Sequence, residues 1–246
     1  MPNWVFNNVT IQGPASEVDS IKVKLNEPFV RVHDTYDMET KKTISKDFTY
    51  TNPIFALWNI CRPDESMMSE YNNQPPLTKA SIDDKEAFWK EIQEQHDTSN
   101  DWYNWNIRNW GTKWDTAVSD TEQYPDTELN EYQISGDESF VSYRFNTAWA
   151  PPIQAIEKLS LLVPNCVISL SYEEESGWGG ECDFENGEVT AKQEYESRCR
   201  DCDEMDTTEY CDECQIDVCS SCYNFDEADP DDVKQCQTHA VKLESK

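Results

Sequence analysis

The last fifth of the chain concentrates metal-ligand chemistry. From Cys199 the ligand pairs are Cys199/Cys202, Cys211/Cys214, Cys219/Cys222 and Cys236/His239, with gaps of 8, 4 and 13 residues between pairs. Each pair encloses two residues, so a tight turn aims both side chains at one ion while the intervening amides face the sulfurs. Eight soft or borderline ligands fill two tetrahedral zinc sites. Four ligands per ion leave no open position, so both zinc ions are expected to be structural rather than catalytic. Pairs in series commonly interleave as a cross-brace. Cys199, Cys202, Cys219 and Cys222 would then hold the first zinc, and Cys211, Cys214, Cys236 and His239 the second. Sequential pairing, first pair with second, is the alternative. Disulfides are the competing chemistry for seven cysteines in 38 residues. They need an oxidising compartment. The N-terminal MPNWVFNNVT has neither the basic region nor the apolar core of a signal peptide. The expected setting is therefore a reducing cytoplasm. Few large apolar side chains punctuate this segment, among them Met205, Tyr210, Ile216, Val218, Tyr223 and Phe225. Metal binding would supply its folding free energy.

The spacing Cys211-x2-Cys214-x4-Cys219-x2-Cys222 resembles B-box and ZZ-type cross-brace zinc modules. It departs where a B-box has a run of histidines and this chain has Cys236 and His239. The resemblance implies protein binding or oligomerisation.

Charge narrows the partners. The 246 residues carry 20 basic and 49 acidic side chains, a formal −29. From Cys199 onward there are 14 acidic and 4 basic residues, or −10, which leaves −19 for residues 1–198. Acid spread through the whole chain opposes non-specific nucleic-acid binding, whose affinity comes from neutralising phosphates. It permits contact with a basic protein surface, and it also simply confers solubility. Aromatic residues make up 12% of the chain, with nine tryptophans, which excludes an acidic disordered chain. No apolar run reaches membrane-spanning length.

Two domains are expected, a body at 1–195 and an acidic zinc module at 196–246. In the body, Asn3 to Gln12 alternates as a first strand, and Val18, Ile21 and Leu25 recur at helical spacing after Pro14. Residues 28–48 read as a hairpin or an insertion, Phe48 to Trp58 as extended, and 62–81 as loop. Asp83 to Gln95 suits a helix, and Trp102 to Trp114 is an aromatic stretch. Leu129 to Ala148 reads as a hairpin, Pro151 to Leu162 as a helix and Val167 to Tyr172 as a strand. The glycines at 177, 179 and 180 would let a backbone approach a ligand or form a turn, and Glu188 to Tyr195 suits an edge strand. The result is an α+β body with an antiparallel sheet, most simply a ferredoxin-like βαββαβ unit. Cys61, Cys166 and Cys182 remain as ordinary buried thiols.

Four motifs in the body resemble the YubB-like ferredoxin-domain family of phages and plasmids. They are Met1-Pro2-Asn3-Trp4, Asn109-Trp110-Gly111-Thr112-Lys113-Trp114-Asp115, Phe145-Asn146-Thr147-Ala148-Trp149-Ala150-Pro151-Pro152, and Tyr172-x-Glu174 with Gly177-Trp178-Gly179-Gly180. The resemblance spans roughly residues 1–190. Val5 and Ala150 depart from it, where cysteine and serine are common, and the zinc tail lies outside it. It implies a ferredoxin-like fold and a mobile-element origin, and no activity.

The candidate ligand site in the body comprises Trp110, Lys113, Trp114, Asp115, Trp149, Tyr172 and Glu174. Aromatic walls with three charges would suit a small ligand or a peptide. The competing reading is a tryptophan core with Lys113 paired to Asp115 or Glu174. Catalysis has little support. His239 is assigned to zinc, and His33 and His96 lack companions. No G-x-S-x-G, H-E-x-x-H or Walker motif occurs. The expected function is a non-enzymatic mobile-element accessory protein, cytoplasmic, that binds a host protein with a basic groove, as a counter-defence or host-takeover inhibitor would. The alternative is a nucleotide-signal binder using the Lys113 region.

Overall fold

The computed structural model describes residues 3–38, 41–73, 84–121, 127–135 and 137–196, and four pieces of the tail, 209–211, 216–218, 223–224 and 235–236. Alternation builds β1 (Trp4–Pro14), with Val5, Asn7, Val9 and Ile11 buried and Phe6 and Gln12 exposed. Pro14 ends β1 and stands at the cap of α1 (Ala15–Leu25), where Val18, Ile21 and Leu25 form the buried stripe. Next in the sheet come β4 (Glu128–Ser135) and β5 (Glu138–Ala148), then α6 (Ile153–Leu162) and β6 (Val167–Glu174). Two further strands, β7 (Trp178–Glu185) and β8 (Glu188–Glu196), complete one antiparallel sheet in the order β4-β5-β1-β6-β7-β8.

The segment β1-α1-β4-β5-α6-β6, with sheet order β4-β5-β1-β6, is a ferredoxin-like βαββαβ unit, and β7 and β8 extend it beyond β6. Between α1 and β4 the chain inserts a separate hairpin, β2 (Phe29–Asp37) with β3 (Lys42–Tyr50), and four helices. These are α2 (Leu57–Ile60), α3 (Met68–Tyr71), α4 (Lys85–Thr98) and α5 (Trp102–Trp110).

Three local expectations are corrected. The apolar run 48–58 is not extended throughout: β3 stops at Tyr50 and α2 begins at Leu57. The loop expected at 62–81 contains α3. The glycine-rich segment after Gly177 is the strand β7 rather than a turn, because ring packing on both faces requires its glycines. A Cβ at Gly179 would lie 2.6 Å from the Tyr195 ring, and one at Gly180 would lie 2.6 Å from the Tyr172 hydroxyl.

Between the sheet and α1, α2 and α6 lies the main core, with Val9, Ile11, Ile168, Leu170 and Phe184 from strands and Ile21, Ile156 and Leu159 from helices. The insertion adds an aromatic cluster in which Trp58, Tyr71, Trp105 and Trp110 pack at centroid distances of 5.6–6.5 Å. Arg31 enters this cluster. Its guanidinium lies 4.5 Å from the Trp58 ring, donates to the Tyr71 hydroxyl at 2.8 Å and sits 3.6 Å from the Asp115 carboxylate. Tyr71 in turn donates to Asn106 Oδ1 at 2.9 Å.

Burial pushes the Tyr71 phenol up to about 12, against a pull down from Arg31, and burial also raises Tyr143 and Tyr172. A phenol whose folded value is raised holds its proton in the folded state after the unfolded chain has released it. Its contribution to stability is complete below the ordinary value of 10.0 and is lost as pH climbs through about 12. In an alkaline titration, phenolate absorbance from these three tyrosines should therefore appear only with loss of near-ultraviolet circular dichroism. Reversible ionisation of all 11 tyrosines near pH 10 with the fold intact would contradict it.

Candidate binding site

Two of the motif loops meet where β1 begins and β5 ends. Asp101 starts α5 by accepting from the amides of Tyr103 and Asn104 at 3.1 and 3.2 Å. Gly111 ends it at φ 87°, and a Cβ there would press to 3.0 Å of the Pro151 carbonyl. Glycine thus lets the turn after α5 lie directly against the start of α6. Thr112 Oγ1 donates to the Ala148 carbonyl at 2.9 Å, and Asn106 Nδ2 donates to the Lys113 carbonyl at 2.9 Å. Residues 110–115 and 147–152 are therefore held as one surface.

At this surface the Lys113 ammonium lies 4.2 Å from the Trp149 ring, 4.8 Å from Trp114 and 5.9 Å from Tyr103. Trp114 packs 6.1 Å from Trp4, and Tyr103 meets Trp149 edge-on at 6.2 Å. Trp149 has φ 74°, a conformation that a bulky aromatic residue rarely adopts. Its N–H donates to the Asn3 carbonyl at 2.9 Å, and Thr147 Oγ1 donates to the Ala150 carbonyl at 2.8 Å. Both tryptophans remain open to solvent, Trp114 at 39% and Trp149 at 43% exposure. Burial lowers the Lys113 pKa.

The other expected site residues lie elsewhere. Trp110 is fully buried in the inserted cluster, and its Nε1 donates to the Cys61 carbonyl at 2.9 Å. Asp115 pairs with Arg31 and caps α2, accepting from the amides of Leu57 and Trp58 at 2.8 and 3.2 Å. Burial pushes its carboxyl up, while Arg31 and these amides pull it back. Tyr172 packs edge-on to Trp178 and donates to Glu194 at 3.2 Å. Glu174 is buried. Burial raises its pKa, but hydrogen bonds from Ser176 and Asn3 outweigh that and hold it below the ordinary range. The structure therefore brings Lys113, Trp114 and Trp149 together and adds Tyr103, while Trp110, Asp115 and Tyr172 make other contacts and Glu174 is linked to the group through Asn3, which also accepts from the Trp149 amide. Among the described residues Lys113 forms no ion pair with Asp115 or Glu174. Arg31 holds the Asp115 carboxylate instead. Arg31 escaped sequence reasoning because it stands in a polar stretch with no local partner. Of the three remaining cysteines, Cys166 and Cys182 are buried and Cys61 is partly exposed.

Among the described residues, the helices cover one face of the sheet and none covers the other, where Phe6 is 53% exposed. On that open face Phe6 pairs across to Asn146 and Glu173, and Asn8 to Arg144 and Ser171. A concavity of about 660 Å³ lies here, lined by Phe6, Arg144, Glu173, Glu181 and Tyr195 among others. Arg144 is already 4.0 Å from Glu128, so the carboxylates of Glu173 and Glu181 set the sign of the surface. Burial raises the Tyr195 pKa, and those two carboxylates raise it further. Composition hid this face, since acid is abundant everywhere in the chain.

In the tail, β9 (Glu209–Cys211) pairs with β10 (Ile216–Val218), and β11 (Tyr223–Asn224) pairs with β12 (Gln235–Cys236). Cys211 and Cys236 end their strands, and β12 lies beside β9. Cys199, Cys202, Cys214, Cys219, Cys222 and His239 lie outside the described residues. Among the described residues no helix is long and apolar enough to cross a membrane.

Residues 128–212 match the model of a family described as a ferredoxin-like domain in Api92-like protein, so a ferredoxin-like domain of that kind is present. A crystal structure of protein Api92 from Yersinia pseudotuberculosis aligns over 79% of this chain and 98% of its own, at 10% identity and a TM-score of 0.40. No curated protein matches the chain.

Proposed function

We propose that this chain, with its ferredoxin-like domain, is a non-enzymatic binding protein whose open sheet face receives a lysine- or arginine-rich surface of a partner protein. The carrying observation is that face. Among the described residues one side of the sheet is free of helices, and its concavity sets Phe6 and Tyr195 beside Glu173 and Glu181. Rings beside carboxylates suit the long cationic side chains of a basic surface, and the formal charge of −29 speeds encounter with one. The YubB-like resemblance supports a mobile-element setting, in which the proposed partner is a cytoplasmic host protein. An acidic face that competes for a basic nucleic-acid groove would then act as a counter-defence or takeover inhibitor.

The tail is read as a two-zinc cross-brace module that adds a second contact surface. Cross-brace order brings the segments carrying Cys211 and Cys236 together, as β12 beside β9 does, and the pairing of β11 with β12 is compatible with sequential order as well.

The face is tested with an oligolysine peptide at physiological salt. Glu173→Lys/Glu181→Lys should weaken binding by about tenfold or more. Glu65→Lys/Glu94→Lys, which changes the net charge equally on exposed residues elsewhere, should leave it within about twofold. Equal losses from both pairs would reduce the effect to bulk charge and remove the site.

A second reading, a nucleotide-signal binder, has one observation in its favour: Lys113 lacks an ion-pair partner among the described residues. Calorimetry against a nucleotide panel tests it, and silence across the panel removes it.

A further inference from the structure

We propose that Tyr103, Trp114 and Trp149 form a cation receptor which Lys113 fills from within, and that an external quaternary ammonium group displaces it. Three rings face one ammonium at 5.9, 4.8 and 4.2 Å. Such a cage holds a cation by the negative faces of its rings and does so best when water is partly excluded. Among the described residues, rings and not an ion pair hold this lysine.

Two further features favour a receptor over a packing accident. Trp149 holds a left-handed conformation at φ 74°, at a cost on the order of 1–3 kcal/mol that neighbouring contacts must offset. That backbone is fixed by its hydrogen bond to Asn3. Strain kept in place here aims an indole at the ammonium. The cage is also open, because Trp114 and Trp149 are 39% and 43% exposed. The Lys113 stem is flexible, so its ammonium can swing into water without moving the fold.

The occupant follows from the chemistry. The rings select positive charge and apolar bulk together. A trimethylammonium group offers both and is desolvated more easily than a primary ammonium. It can come from a choline-type headgroup or from a trimethylated lysine side chain. The surrounding negative field favours either. This inference does not depend on the open sheet face, which lies on other residues.

Lys113 acts as a competitor. If it occupies the cage about nine-tenths of the time, removing it raises affinity for an external cation about tenfold. The experiment is a tryptophan-fluorescence titration of the full chain with choline, with a trimethyllysine peptide, and with 3,3-dimethylbutan-1-ol, the neutral carbon isostere of choline. Lys113→Ala should bind at least one of the two cations about tenfold tighter than the natural chain and should ignore the neutral isostere. The two cations separate headgroup from side-chain recognition. Lys113→Met, which refills the cage without charge, should show no gain. Adding Trp149→Phe to Lys113→Ala should take most of the gain away, and near-ultraviolet circular dichroism checks that each variant is folded. Absence of a gain in Lys113→Ala, an equal gain in Lys113→Met, or equal binding of the neutral isostere overturns the proposal. So does a nucleoside monophosphate that binds the natural chain and is lost in Lys113→Ala.

Discussion

Asp115→Asn is expected to destabilise the body by about 3–5 kcal/mol and to lower its thermal midpoint by roughly 6–20 °C. The substitution barely changes shape, so the loss is electrostatic. Arg31 and Asp115 retain only 8% and 4% side-chain exposure. Taking the carboxylate away leaves a guanidinium among Trp58, Tyr71 and Trp110 with no paired anion among the described residues. An unpaired buried charge costs more than the pair contributes. Hence Arg31→Met/Asp115→Asn should recover more than half of the loss, because it removes both charges and keeps the volume. Thermal unfolding of the two single variants and the double variant measures this. Losses that simply add would show that the pair does not act as a unit.

Removing zinc should melt the tail and spare the body. Elemental analysis of the purified chain is expected to return two zinc ions, matched to the eight ligands from Cys199 to His239. Structural zinc contributes on the order of 10–16 kcal/mol in small modules, far more than the sparse apolar residues of this segment can supply. A strong chelator should therefore expose residues 199–239 to protease and leave a resistant fragment ending near Glu196, with its thermal transition unchanged. A tail that stays protected with no metal bound defeats the assignment. Pairing is read from Cys199→Ser/Cys219→Ser. In cross-brace order both changes strike one site and one zinc ion remains, whereas sequential order damages both sites.

Strong periodicity made part of the fold legible. Val5, Val9 and Ile11 alternate, and Val18, Ile21 and Leu25 recur in helical step, so β1 and α1 follow from local rules. The hairpin β4–β5 and the strand β6 were equally plain. The helix α5 was hidden because Trp102, Trp105 and Trp110 make its sequence aromatic on several sides, and only Asp101 and Gly111 mark its ends. β7 was hidden because Gly179 and Gly180 read as turn residues. Their absent side chains instead make room for Tyr195 and Tyr172. The candidate site was half legible. The loops around Lys113 and Trp149 meet, but the partner of Asp115 is Arg31, far away in sequence, and no spacing rule links the two. Of the two readings, an aromatic-walled site or a Lys113–carboxylate pair, the described residues show Lys113 among rings.

The position of β1 has a consequence for how the chain is made. Among the strands of this sheet it is made before its neighbours, yet it lies inside the sheet. Trp4 pairs with Ala148 and Val5 with Glu174. At ordinary elongation rates its neighbours emerge on the order of ten seconds later. During that interval both edges of an apolar strand are unpaired beside a growing, strongly acidic chain. The inserted hairpin β2–β3, whose pairing is local, can form first, and the sheet closes last across a long loop. The dense negative charge between α1 and β5 then has a kinetic role as well. It keeps nascent copies apart while their central strand waits for its partners.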